Sequence, residues 1–365
     1  MSGPRIALDA FGTDARPEPE IVAAIEAAVA GVRIELVGDH ARLSEALARG
    51  LAALDDRAAT PIELVHASQA IAMDESPARA VRSKPDASLC VAIDRLRSGD
   101  AQAVVSAGNS GAILAAALFR LGRIEGIDRP AIVTGLPQIE RTHEAVLIDA
   151  GANVECTILN LVQFAVLGAS WSQLRHGIKQ PRVAVLSNGR EAGKGTASTR
   201  GAHRLLSDHV AKRGPASAFE FVGYIEPNAL FSSACDVIVT DGWTGNVTLK
   251  LAEGAMAAWP RMLRDAIDDR ESTSDGAERI TATIKAAIEP ALHDLAHRLH
   301  PDAHGGAPLL GVDGAVIICH GASGPAALSS ALHMAHRLAE RSAIKAIARA
   351  VADHRELFEL ARTLR

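Results

Sequence analysis

The hexapeptide DGWTGN sets an acid, a hydroxyl and an amide (Asp241, Thr244 and Asn246) around two glycines at the end of an apolar run. Such a set can hold an anion or exchange a proton, and it is a costly composition for a mere turn. The loop SNGREAGKG (187–195) places Lys194 between Gly193 and Gly195. A Walker A loop needs four residues between its Gly and the Gly-Lys pair, then Ser or Thr. Here three residues separate Gly189 from Gly193, and Gly195 follows Lys194, so that motif is excluded. Lys194 keeps two readings: a ligand for phosphate or a developing oxyanion, and a solvated loop lysine. Ser110 in GNSG and Ser323 in GASG do not fit the GxSxG nucleophile elbow and read as helix caps. His320 in CHGASG reads as a proton donor or as a satisfied loop histidine. The segment MDESPARAVRSK (73–84) carries Arg79, Arg82 and Lys84. It is either a capped helix with surface charges or a basic strip for an acidic partner.

These residues need elements to hold them. A short Val/Ile/Ala run, a glycine-rich loop and a helix-like segment recur at 101–119, 145–164, 182–206, 236–254 and 314–335. Nearly continuous apolar runs of this kind suit parallel strands covered on both faces. The expected fold is α/β: an open, mostly parallel sheet with flanking helices. In such a sheet every loop after a strand falls on one edge and feeds a helix N-terminus that favours anions. The five loops are therefore expected to meet at one rim.

Composition narrows the class. The chain has 365 residues, 48% hydrophobic and only 3% aromatic, which suits a large helix-and-sheet core. Lys+Arg 38 against Asp+Glu 43 gives a net charge of -5, so no global electrostatic case exists for nucleic acid. Cys90, Cys156, Cys235 and Cys319 lie far apart, without zinc spacing, and read as reduced, buried thiols. No secretory signal is visible after Met1, and the uncharged run 156–174 reads as a buried helix. The pattern changes between about 254 and 300, where a polar stretch (268–276) separates two helical segments. Ile280, Ile284, Ile288, Leu292, Leu295 and Leu299 form one stripe there, expected to be buried in an interface rather than on a membrane, with a bend at Pro290. Terminal helices are expected at about 336–365, and residues 1–365 read as one domain.

The ordered motifs ALDAFGTD, MDESPARAVRSK, VVSAGNSGA, GIDRPAI, LIDAGANVEC, GREAGKG, VTDGWTGNVTLKLAEG, GGAPLLGVDG and CHGAS resemble the PlsX family of acyl-acyl carrier protein:phosphate acyltransferases. Two departures stand out: Gly12-Thr13-Asp14 replaces the family's Gly-Gly-Asp, and Glu191 is a single glutamate where the family has more. The resemblance implies a fold related to phosphotransacetylase and isopropylmalate dehydrogenase. It also implies a homodimer in the cytoplasm, peripherally associated with the inner face of the membrane, that hands acyl-phosphate to the acyltransferase PlsY. The partners implied are acyl carrier protein and inorganic phosphate, with no nucleic acid and no cofactor. Phosphate is already an anion, and a thiolate leaves readily because its conjugate acid has a pKa of roughly 8.5. On that reaction, Gly108, Asn109, Ser110, Gly193, Gly195, Thr244 and Gly245 are expected to bind phosphate. Lys194, Asp241, Asn246 and His320 are the catalytic candidates, and Arg79, Arg82 and Lys84 are expected to dock the carrier.

Overall fold

Short runs of Val, Ile, Leu and Ala form the strands. They are β1 (Arg5–Asp9), β2 (Arg33–Gly38), β3 (Ile62–His66), β4 (Ala103–Ser106), β5 (Ala131–Leu136) and β6 (Ala145–Ile148). They continue with β7 (Arg182–Leu186), β8 (Glu220–Ile225), β9 (Val237–Val239), β10 (Ala307–Leu310) and β11 (Val316–Ile318). In this computed structural model residues 3–52, 61–268, 286–290 and 305–364 are described. Their strands make one sheet, in the order β3-β2-β1-β4-β11-β10-β5-β6-β9-β7-β8.

The sheet has two parallel halves that run in opposite senses. β3, β2, β1, β4 and β11 are mutually parallel, as are β6, β9, β7 and β8. Between them β10 is antiparallel to β11 and to β5, and β5 is antiparallel to β6. Three reversals leave the halves inverted. The expectation of a single rim is therefore corrected: the loops after β4 and β11 leave one edge, and those after β6, β7 and β9 leave the other. All five expected β-loop-α units are present.

Strand alternation builds the core on both faces. Ile6, Leu8, Val105, Ile317, Val146, Ile148, Val185 and Val239 point into one cluster that spans both halves. The opposite face is split. Ala7, Val104, Val316 and Ile318 join one cluster, while Leu136, Leu147, Ala184 and Ile238 join another. The continuous face is covered by α6 (Ile158–His176), buried from Asn160 through Ser172, as the uncharged run suggested. Thr157 caps it by accepting from the Asn160 amide, and Asn160 closes the box.

Further α-helices among the described residues are α1 (Glu18–Val29), α2 (His40–Ala52), α3 (Pro77–Ser83), α4 (Ser88–Ser98), α5 (Ser110–Arg120), α7 (Ala197–Arg213) and α8 (Gly242–Asp268). After β11 come α9 (Pro325–Glu340), α10 (Ala343–Asp353) and α11 (Arg355–Thr363). The C-terminal helices thus begin before His336 and number three. α8 is one helix through Pro260, and it starts well before 254. Residues 286–290 are helical, and Glu289 pairs with Arg264 of α8 at 2.6 Å. The rest of the expected second arm, with most of its Ile/Leu stripe, lies outside the described residues. Among the described residues no helix is long and apolar enough to cross a membrane.

Candidate active site

A cavity of about 370 Å³ opens where the split face leaves its gap. Its floor is β5, whose Ile132, Thr134 and Leu136 alternate toward it, together with Gly306, Ala307 and Ile318. One wall is α8, with Asn246, Leu249, Lys250, Glu253 and Met256 on one helical face. The other wall carries Ser110, Cys319, His320 and Ser323. Loops from opposite edges of the sheet thus reach one cavity, because it lies on a face over the antiparallel centre and α8 runs along it.

The α8 wall is anchored at its first turn. Asp149 Oδ1 accepts from the amides of Ile132, Gly151 and Ala152 at 3.0, 3.1 and 2.9 Å. Its Oδ2 accepts from the Asn153 amide and Nδ2 at 2.7 and 2.8 Å. Burial pushes the Asp149 carboxyl up, and these donors oppose that shift. The start of α8 lies on this loop: the Gly242 amide donates to Asn153 O at 2.7 Å. A Cβ on Gly245 would stand 1.9 Å from Asp149 O, so the glycine serves helix packing. Asp241 caps α8, accepting from the Thr244 amide at 2.8 Å and the Thr244 hydroxyl at 2.9 Å. Asp241, Thr244 and Gly245 therefore hold the helix, and Asn246 is the member of the hexapeptide that lines the cavity. Nearby Cys156 is a poor nucleophile: burial, then Asp149 and Asp241, push its thiol up to about 12.

The opposite wall is built from four segments. Asn109 caps α5 by accepting from the Ala112 amide at 3.1 Å. Its Nδ2 donates to Met73 O at 2.9 Å and Glu75 O at 3.2 Å, tying down the segment before α3. Gly12 packs so closely on the 107–108 turn that a Cβ would stand 2.8 Å from the Gly108 amide nitrogen. The Asp14 amide donates to Gly321 O at 2.9 Å, joining this loop to the one after β11. Thr13 is 1% exposed and turns inward, where its amide donates to Glu20 Oε1 at 2.9 Å. Burial raises the Glu20 carboxyl to about 7. The Thr13 departure thus faces α1. The expected caps at Ser110 and Ser323 are not formed: Ser110 is the first residue of α5, and Ser323 Oγ accepts from the His320 amide at 3.1 Å.

His320 Nδ1 accepts from the Ala322 amide at 3.1 Å. A neutral ring with Nδ1 engaged in this way carries its hydrogen on Nε2 and is a donor there. The loop of Gly193, Lys194 and Gly195 does not line this cavity. Lys194 is exposed. Ala192 and Ala197 instead border a second cleft of about 1270 Å³ between α7 and the C-terminus. In the basic strip, Arg79 and Arg82 are exposed on α3, and Arg82 lies over the Phe119 ring at 4.8 Å. Lys84 is held internally, donating to Glu75 Oε1 at 2.6 Å and Ala70 O at 3.0 Å. The sequence reading did not single out Thr134, Lys250 or Glu253. Lys250 and Glu253 follow Asn246 by four and seven residues, the spacing of one helix face, and that was the available signal.

Comparison with known proteins agrees with this fold. Residues 4–346 match the family described as "Fatty acid synthesis protein". The phosphate acyltransferase of Myxococcus xanthus is 42% identical over 92% of this chain and 90% of its own. That of Syntrophotalea carbinolica is 42% identical over 90% and 89%. Among solved structures, a Streptococcus pyogenes phosphotransacetylase superposes with a TM-score of 0.56 at 15% identity, covering 96% and 94% of the two chains. The EutD phosphotransacetylase of Staphylococcus aureus gives 0.53 at 16%, covering 94% of each, and both share the fold. With near-complete coverage at such identity, this chain belongs to the PlsX family of phosphate acyltransferases.

Proposed function

We propose that the protein moves a fatty acyl group from the thioester of acyl carrier protein to inorganic phosphate, in the β5/α8 cavity. The observation that carries this reading is a cavity that gathers Ser110, Asn246, Lys250 and His320 beside the apolar Ile132, Leu136, Leu249 and Met256. Polar donors suit phosphate and the carbonyl oxyanion, and the apolar flank suits the acyl chain. A phosphate oxygen attacks the thioester carbon, and the thiolate departs. Positioning supplies up to about 7–11 kcal/mol of such a barrier, and one oxyanion donor about 3–4 kcal/mol. Asn246 Nδ2 and the His320 Nε2–H are the donors for the tetrahedral oxyanion, and the P–OH proton of the attacking hydrogenphosphate goes to the leaving sulfur.

Acyl carrier protein docks on Arg79 and Arg82. α3 packs on α5, whose first residue lines the cavity, and Pro77 lies against Gly111. The acyl-phosphate serves phospholipid synthesis through PlsY. The protein works as a cytoplasmic homodimer, peripherally bound at the inner face of the membrane. The exposed Trp243, Val247, Leu251, Trp259 and Met262 of α8 support a covered face in the homodimer. Asn246→Ala and His320→Ala are expected to lower phosphate-dependent thiol release by ~10²-fold each with the fold intact. Unchanged turnover in both variants would move the chemistry elsewhere.

A further inference from the structure

Lys250 is the only Lys or Arg lining the cavity, and Glu253 the only carboxylate, among the described residues. Lys250 Nζ and Glu253 Oε2 are 2.8 Å apart, with side chains 56% and 25% exposed. The pair is electrically neutral in sum, an unexpected wall for a site that must hold an anion of two charges. Inorganic phosphate, however, is a donor as well as an acceptor at neutral pH: it keeps a P–OH. Sulfate has the same shape and no hydrogen. We propose that Lys250 and Glu253 form a donor–acceptor pair that binds hydrogenphosphate, Lys250 on a P–O⁻ oxygen and Glu253 on the P–OH, and that rejects sulfate.

This rests on the acyl-transfer reading and names how its phosphate is chosen. Against sulfate, Glu253 would face an oxygen with no hydrogen, leaving two like charges in contact. A site built to accept a substrate hydrogen rejects the analogue without it far more strongly than shape alone can. The proton also balances the reaction. Hydrogenphosphate forms the new C–O bond, the C–S bond breaks, and the P–OH proton ends on the departing sulfur, giving acyl-phosphate and free thiol. Glu253 holds that proton before the transfer.

The test measures thiol release from an acyl carrier thioester by the full chain, titrating phosphate with and without sulfate, for wild type, Glu253→Gln, Glu253→Asp and Lys250→Met. In wild type, sulfate is expected to inhibit only at ~10²-fold or more above the phosphate KM. Glu253→Gln is expected to raise the phosphate KM by ~10-fold or more, with a smaller change in kcat, and to make sulfate a competitive inhibitor near that KM. Glu253→Asp keeps the acceptor and should restore sulfate exclusion, while Lys250→Met weakens both anions. Calorimetric phosphate and sulfate binding reads the same selectivity in any variant without turnover. Sulfate competing with wild type as well as phosphate does, or a Glu253→Gln enzyme with both constants unchanged, overturns the pair. A wild type whose thiol release ignores phosphate overturns the acyl-transfer reading instead.

Discussion

The residues that matter divide into those that touch the cavity and those that hold its walls, and residue type alone did not separate them. Asp241, Thr244 and Asn246 are neighbours in one hexapeptide, yet two form a cap and one lines the cavity. A cap and an anion site ask for the same side chains at a helix start. Asn109 was legible as a site residue for the same reason and serves as a cap and a staple. The buried Glu20 carries a prediction of its own. Its folded pKa is raised to about 7 from 4.5. A carboxyl raised on folding favours the fold below the unfolded value and loses that contribution as pH rises through the folded one. Glu20→Gln should therefore match wild type near pH 4.5 and become the more stable protein by pH 8, by on the order of 3 kcal/mol. Denaturant unfolding at the two pH values checks this, and a difference that does not grow with pH contradicts it.

At the scale of elements, the five β-loop-α units were plain in the sequence because each carries its own apolar run, turn and helix. Their relative direction was not. Every unit looks the same locally, and the inversion is set by β10 and β5, which belong to none of the five. One sign was available: only residues 137–144 join β5 to β6, too short for the crossover that a parallel pair needs. The start of α8 packs tightly on the loop after β6, so its packing should be intolerant. Gly245→Ala forces a Cβ against the Asp149 carbonyl. It is expected to cost at least about 2 kcal/mol, read as a lowered thermal midpoint together with lost thiol release. A variant of wild-type stability would mean that the helix start is looser than this contact requires.

Across the whole molecule, α8 both walls the cavity and presents Trp243, Val247, Leu251, Trp259 and Met262 outward. The sequence signalled an apolar stripe farther along, in the second arm; on α8 the same 3–4 residue spacing was masked by its catalytic-looking start. This exposed apolar face is the surface that the proposed homodimer would bury. On the proposed homodimer, Leu251→Glu with Trp259→Glu should lower the mass read by light scattering from dimer to monomer; a wild type that is already monomeric, or dimers persisting in the double variant, would contradict this interface. The central claim is spatial: two inverted halves share one cavity on the face of the sheet, and phosphate binds there. A crystal structure with phosphate bound tests it most directly. Density between Asn246 and Lys250 of α8 and His320 of the opposite wall is the predicted result, and phosphate held instead in the loop of Lys194 would contradict it.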